Sequence, residues 1–306
     1  MIVEFFEKLY YNPKRSYYIV SILLLPFSLL YGSVGLIKSL FSKPKDFGIK
    51  IISIGNLIVG GSGKTPFAIE LIEHFSKKYK DINIYYISRG YGRASKGLVW
   101  VKRDNKILSD VLNSGDEALL VAKESRASVI ASEDREAAIK LAKESGANLI
   151  ILDDAFSKLK IKKFDILLEP LNLPNRFVLP SGPFREFSFA KKRASLVLKE
   201  GIDFKRVVSY KNLTPKMLLV TSIANPARLK AYLPKGVVAK YTLKDHSFFN
   251  KEKILEKMRE YGALSILVTK KDMVKLEEFN LPLSIIELKL DIDSKKIKQI
   301  EEYYES

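Results

Sequence analysis

No cysteine occurs among the 306 residues, which excludes disulfides, thiolate metal sites and a cysteine nucleophile. Histidine is nearly as scarce. Only His74 and His246 are present, too little material for an imidazole metal cluster. Acidic residues are in the minority, 35 Asp and Glu against 52 Lys and Arg. The formal charge of +17 predicts attraction to polyanions, whether nucleic acid, anionic lipid headgroups or phosphorylated small molecules. Charge alone does not choose among them. No internal repeat or low-complexity tract is visible, and the length suits two domains of ordinary size.

What is present is most informative between residues 51 and 65. The apolar run Ile51-Ile52-Ser53-Ile54 predicts a strand, and Phe67-Ala68-Ile69-Glu70-Leu71-Ile72 predicts a helix. Between them lies a glycine-rich loop ending Gly60-Gly61-Ser62-Gly63-Lys64-Thr65. Strand, loop and helix in this order make a phosphate-binding loop. Its glycines let backbone N–H groups converge on phosphate oxygens, and the helix N-terminus adds positive dipole. Lys64 is expected to reach the β- and γ-phosphates of a nucleotide, and Thr65 to hold Mg²⁺. Ile58 stands where the strict G-x-x-x-x-G-K-[ST] pattern has glycine.

The N-terminus carries the one long apolar run. Ser16 to Ile37 contains no charge, with Lys14 and Arg15 before it and Lys38, Lys43 and Lys45 after it. A transmembrane helix needs about 20 such residues. Pro26, Gly32 and Gly35 interrupt this run, so an interfacial hairpin or tilted anchor with basic flanks on anionic headgroups fits equally. A buried core helix is the further alternative. A cleaved signal peptide fits less well, because Glu4 and Glu7 lie in the first fifteen residues and a nucleotide loop follows.

Beyond the loop, strand signals at Asn83–Ser88 and Asn148–Leu152 alternate with helical spacing at Asp116–Lys123 and Glu133–Glu144. Strand signals recur at Met217–Val220, Gly236–Tyr241, Leu264–Val268 and Leu283–Leu288, and a last helix is expected near Ser294–Tyr304. This alternation predicts an α/β fold with a mostly parallel sheet covered by helices. The expected division is a membrane-associating segment over 1–45, a P-loop domain over 46–200 and a second, smaller α/β domain over 201–306.

Several constellations carry chemistry. Asn148–Leu152 leads into Asp153-Asp154, the form of a strand that delivers carboxylates to Mg²⁺ beside the P-loop threonine. Asp116 and Glu117 follow Gly115 ahead of a helix. Asp116 there is either a helix cap or a group with chemistry to do. The acidic residues of Ser132-Glu133-Asp134-Arg135 suit a helix start, so only Arg135 invites phosphate binding. His246 follows a strand and is either solvated or functional. His74 lies on a boundary face of the helix after the loop and reads as structural.

These residues resemble one family closely. Ser53–Thr65, Ser88-Arg89-Gly90-Tyr91, Gly115-Asp116-Glu117, Ala131–Arg135, Leu152-Asp153-Asp154, Leu179-Pro180-Ser181-Gly182, Arg185-Glu186, Asp245-His246 and Thr269-Lys270-Lys271-Asp272 occur in the order found in tetraacyldisaccharide 4′-kinases of the Gram-negative lipid A pathway. The resemblance implies transfer of the ATP γ-phosphoryl group to the 4′-hydroxyl of a tetraacylated glucosamine disaccharide 1-phosphate. It implies two α/β domains and an N-terminal helix engaging anionic lipids at the cytoplasmic face of the inner membrane. Asp116 is then the base, paired with His246. Lys64, Thr65 and the loop amides hold ATP, and Asp153 and Asp154 lie near Mg²⁺. Glu117, Arg135 and Arg185 serve the substrate or its phosphates. No nucleic acid and no obligate protein partner are expected.

The chain departs from the family's usual Gly-Phe-Gln-His after the Asp pair, with Ala155-Phe156-Ser157-Lys158 instead. Lys163-Phe164 replaces a usual Arg-Asp, Lys244 a usual Pro, and Phe184-Arg185-Glu186-Phe187 a usual Leu-Arg-Glu-Pro. Two other readings stay open. Thr269-Lys270-Lys271-Asp272 imitates the guanine-reading motif of a GTPase, although no D-x-x-G follows Asp153 or Asp154. The basic runs Lys158–Lys163 and Lys191-Lys192-Arg193 allow a nucleic-acid binder, although no stacking platform accompanies them.

Overall fold

The computed structural model describes residues 2–11, 15–173 and 175–306, and the chain gathers into two units that are each discontinuous in sequence. The first holds the residues up to Lys64, with Asp154–Phe204 and Asp293–Ser306; the second holds Thr65–Asp153 and Lys205–Ile292. The span 46–200 thus contributes to both.

In the first unit, strand Lys50–Gly55 pairs in parallel with Phe164–Glu169, which pairs in parallel with Leu196–Lys199. The first strand is buried from Ile51 to Gly55, as expected of a parallel strand covered on both faces. Helix Ser294–Glu305 closes on it. Ile51 N–H donates to the Tyr303 hydroxyl at 3.2 Å, that hydroxyl donates to the Ile51 carbonyl at 3.1 Å, and the Tyr303 ring stacks on Phe164.

Three helices precede these strands: Ile2–Tyr11, Arg15–Leu23 and Leu25–Phe41. No single one of the described helices is long and apolar enough to cross a membrane; Tyr17–Leu23 and Leu25–Phe41 together reach that length and composition, bent by 57° at the break between them. Pro26 sits in the first turn of the third helix, where its missing N–H costs nothing. Gly32 and Gly35, expected to interrupt the run, lie inside that helix. A Cβ at Gly32 would sit 2.5 Å from the Phe187 ring, so the glycine admits the aromatic. Lys14 lies outside the described residues.

Buried polar groups hold the helices in place. Asn175 Nδ2 donates to the Leu9 carbonyl at 3.3 Å and to the Ser181 carbonyl at 2.9 Å, and Ser28 Oγ donates to the Val178 carbonyl at 2.8 Å. Outward, the third helix exposes Phe27, Leu29, Leu30, Tyr31, Val34, Ile37, Leu40 and Phe41.

The second unit contains two sheets' worth of strands. Ser128–Ala131, Ile84–Ser88 and Leu149–Asp153 run parallel, and Val99–Arg103 with Lys106–Ile107 extend them antiparallel. Val237–Thr242, Met217–Thr221, Ser265–Thr269 and Leu283–Ile292 form a second parallel set, with Phe204–Lys211 at its edge. Helix Lys64–Lys78 buries Phe67, Ala68, Leu71, Ile72 and Phe75, a single apolar stripe. Asp134 caps helix Arg135–Glu144 through the N–H groups of Glu136 and Ala137.

Asp272, fully buried, ties the second parallel set together. Its carboxylate accepts from Thr221 Oγ at 2.6 Å, Thr269 Oγ at 2.8 Å, Ser222 N–H at 2.9 Å and Ser222 Oγ at 3.1 Å. It thereby joins the ends of two neighbouring strands. Asp272→Ala strands all of these donors and is expected to lower the unfolding free energy by about 3–5 kcal/mol, read from urea denaturation. A loss under about 1 kcal/mol would remove the carboxylate from this role.

Candidate functional site

In the first unit the glycine loop leaves strand Lys50–Gly55 and ends where helix Lys64–Lys78 begins. Gly60 and Gly63 adopt φ of +98° and +87°, which L side chains avoid. Ile58 is not a defect in the loop. It is buried with Leu57, Phe156 and Phe184, and the Leu57–Val59 stretch hydrogen-bonds to Pro183 and Arg185. The loop is therefore braced by a second segment where the strict pattern has glycine. Tyr11 adds a hydroxyl bond to the Val59 carbonyl.

Lys64 emerges from this loop 3.3 Å from Asn56 Oδ1 and 3.5 Å from Asp154. Arg185 donates to the other Asp154 oxygen at 2.7 Å. One carboxylate thus gathers two cations beside the phosphate loop. Burial pushes the Asp154 carboxyl up, but Lys64 and Arg185 outweigh it and hold it below the usual range. Asp154 adopts φ of +47°, uncommon for a residue with a side chain.

Among the described residues no group of three or more His, Cys, Asp or Glu is placed to hold a metal ion. The donor chemistry available is carboxylate from Asp153 and Asp154 and hydroxyl from Thr65. That suits Mg²⁺, which takes one or two carboxylates and completes its shell with phosphate and water.

In the second unit, Gly115 rather than Asp116 stands at the helix N-cap, at φ of +83°. A Cβ there would meet the Tyr91 carbonyl at 3.0 Å. The Asp116 side chain is free of capping and turns to His246, whose Nδ1 lies 2.9 and 3.1 Å from its two oxygens. His246 sits at φ of +59°, with Tyr91 against its ring at 4.8 Å. Lys275 Nζ lies 3.2 Å from Asp116 and Lys271 Nζ lies 4.0 Å away. Burial pushes the Asp116 carboxyl up, but the His246 hydrogen bond and the charges of Lys271 and Lys275 win and hold it at about 2. Asp116, His246 and Lys275 line one small pocket with Tyr91, Gly92 and Phe248.

The other expected site residues are engaged within the fold. Glu117 is paired with Lys271 at 3.0 Å. Arg135 is 5% exposed, and its guanidinium donates to the backbone carbonyls of Ser132 and Asp153. That post braces the end of strand Leu149–Asp153. It does not offer a surface for a phosphate. Asp272, with its oxygens occupied inside the fold, is closed to a guanine edge, which removes the GTPase reading of Thr269-Lys270-Lys271-Asp272. Of the basic runs, Lys162 pairs with Asp46, Lys163 with Asp165, Lys191 with Glu169 and Arg193 with Glu186.

Sequence reasoning missed Asn56, Tyr91, Lys271 and Lys275 as neighbours of these groups. Lys275 did leave a trace, a lone charge within Met273-Val274-Lys275-Leu276.

The profile of the family described as tetraacyldisaccharide-1-P 4′-kinase matches residues 20–304. The tetraacyldisaccharide 4′-kinase of Helicobacter acinonychis (strain Sheeba) is 45% identical over 98% of this chain and 94% of that protein. That of Aliarcobacter butzleri (strain RM4018) is 48% identical over 94% of this chain and 92% of its own length. A crystal structure of the "apo" form of LpxK from Aquifex aeolicus in complex with ATP matches with a TM-score of 0.76 at 27% identity, covering 93% of this chain and 99% of that one. An α/β fold, a braced glycine loop ending in Lys-Thr, and near full-length likeness agree: the chain belongs to the tetraacyldisaccharide-1-P 4′-kinase family.

Proposed function

We infer that this chain transfers the γ-phosphoryl group of ATP to the 4′-hydroxyl of a tetraacylated disaccharide 1-phosphate, as its family's name describes. The observation that carries the reading is the pairing of buried Asp116 with His246. A phosphate loop alone serves many nucleotide hydrolases. A sugar hydroxyl acceptor also needs a group to take its proton.

Phosphoryl transfer is chiefly positioning and charge stabilisation. The loop amides of Gly60, Gly61, Ser62 and Gly63 cradle the phosphates, and Lys64 and Arg185 counter the charge that builds on the transferred group. Mg²⁺, when bound, neutralises phosphate charge, with Thr65, Asp153 and Asp154 as its protein donors. Asp116 accepts the 4′-hydroxyl proton, and His246 orients the carboxylate. A carboxyl near 2 is a weak base but is ionised at every physiological pH. In a loose transition state the acceptor's proton leaves late, once the new P–O bond has acidified it.

The exposed apolar face of helix Leu25–Phe41, continued by exposed Lys38, Lys43 and Lys45, suits contact with the anionic cytoplasmic face of the inner membrane. A four-chain lipid leaves a bilayer only at great cost, so its kinase works best at the surface.

The activity is tested with purified protein, labelled ATP, Mg²⁺ and the tetraacyl disaccharide 1-phosphate in detergent. A 4′-phosphorylated lipid is the expected product, and its absence overturns the reading. In that assay Asp116→Ala should lower kcat by about 10²–10⁴-fold. His246→Ala should lower it too, and the double variant should cost less than the product of the single losses.

Acid stability reports on Asp116 separately. Its carboxyl lies at about 2 folded against about 3.9 unfolded. The stability this contributes is therefore full above about pH 4 and lost as pH falls toward 2, on the order of 2 kcal/mol. Asp116→Asn should flatten the pH dependence of the urea midpoint in that window; an unaltered slope would contradict the assigned ionisation.

Leu30, Leu40 and Phe41 are 69%, 71% and 82% exposed. Changing all three to Glu leaves the buried Ser28 and Asn175 contacts intact. It should reduce co-sedimentation with anionic vesicles by more than about tenfold, given about 1.5–3 kcal/mol per buried apolar side chain. Undiminished binding places the lipid contact elsewhere.

A further inference from the structure

We propose that Lys275 is a positioning residue for the Asp116–His246 pair: its buried ammonium locks the carboxylate and the imidazole-bearing loop into one geometry. The proposal rests on the kinase reading above and assigns a group that reading does not use.

The Lys275 side chain is 1% exposed. An ammonium is kept in such a place only when charge and hydrogen bonds replace its water. Its three protons have matching acceptors on three separate stretches of chain. Asp116 Oδ2 at 3.2 Å belongs to the first turn of helix Asp116–Glu124, and Ser222 Oγ at 2.5 Å follows strand Met217–Thr221. The Ser247 carbonyl at 3.5 Å belongs to the loop carrying His246. The ammonium also lies over the Phe249 ring, 5.5 Å from its centroid.

A role confined to neutralising Asp272 accounts poorly for this. Asp272 lies 3.7 Å from Lys275 Nζ, but four shorter bonds from Thr221, Thr269 and Ser222 already satisfy it. The closer carboxylate is Asp116. Without the ammonium, Asp116 keeps His246 and Lys271. Lys271, however, is shared with Glu117 at 3.0 Å and Asp245 at 3.5 Å, and stands 4.0 Å from Asp116. Nothing else among the described contacts ties Asp116, the strand end and the Ser247 carbonyl to one atom. His246 also holds a left-handed backbone conformation, which persists only when its surroundings impose it.

The charged and titratable groups around Asp116 are thus His246, Lys271 and Lys275, with Glu117, Asp245 and Asp272 behind the lysines. Removing the Lys275 charge leaves one cation fewer, so Asp116 binds its proton more tightly. The acid limb of kcat/KM must then move to higher pH. A change that keeps the charge but alters the reach leaves the limb in place and costs only alignment. An alignment error of about 1 Å costs on the order of 10²-fold in rate.

Lys275→Met and Lys275→Arg, both near the parent in volume, test this in the full-length chain with ATP, Mg²⁺ and the lipid acceptor. Rates are taken per folded molecule from parallel thermal melts, alongside the parent and Asp116→Ala. Lys275→Met should lower kcat by about 10–100-fold, leave KM for ATP near the parent's and shift the acid limb of kcat/KM upward. Lys275→Arg should lower kcat without shifting the limb. Parent-like kcat, or an unmoved limb in Lys275→Met, overturns the proposal. Should neither variant fold, Ser222→Ala removes one anchor and keeps the charge. A kcat about fivefold lower or more is then expected, and an unchanged one overturns the proposal. A parent that phosphorylates no lipid overturns the kinase reading instead, and an active Asp116→Ala overturns the base assignment.

Discussion

Asp116 stays ionised while 4% exposed, and much of the second unit follows from that demand. A carboxylate withdrawn from water needs positive partners at hydrogen-bond range. They come from distant stretches: His246 from a loop, Lys271 and Lys275 from the short helix after Ser265–Thr269 and the turn beyond it. Each needs its own anchorage. Gly115 makes the turn that presents Asp116, and Asp272 gathers the strand ends that place Ser222 beside Lys275. The cluster is a chain of compensations around one buried charge.

The first unit solves an opposite problem, that of holding an apolar helix with its greasy side outward. Hydrophobic burial alone would pull that side in. Directional contacts on the inner side oppose this. Asn175 and Ser28 bond to carbonyls of neighbouring segments, and Phe187 fits against Gly32. Specific hydrogen bonds among buried groups do what a greasy contact, indifferent to orientation, does poorly.

Much of this was legible in the residues. The parallel strands Lys50–Gly55 and Leu149–Asp153 announced themselves as unbroken apolar runs, and helix Lys64–Lys78 as a 3.6-residue stripe. Strands Val99–Arg103 and Phe204–Lys211 did not, because they lie toward sheet edges and carry Lys or Arg among their apolar residues. Phe164–Glu169 was hidden by the basic run leading into it. Among candidate site residues, Lys64 and Asp154 were singled out by motif spacing, and the fold places them 3.5 Å apart. Asp116 was ambiguous in sequence, since a carboxylate opening a helix is commonly its cap, and only the φ of Gly115 separates the two cases. Arg135 misled for the converse reason: its guanidinium braces backbone carbonyls, an arrangement that leaves no local pattern.

His246 and Asp154 share one further property, a left-handed backbone in residues that carry side chains. Such conformations cost about 1–3 kcal/mol each, and glycine or asparagine would relieve much of it. A library of this chain screened for heat resistance alone would drift toward those residues at both positions. On the kinase mechanism inferred above, the same library screened for turnover would hold them fixed. Comparing the two outcomes position by position would separate residues kept for the fold from residues the fold tolerates at its own expense.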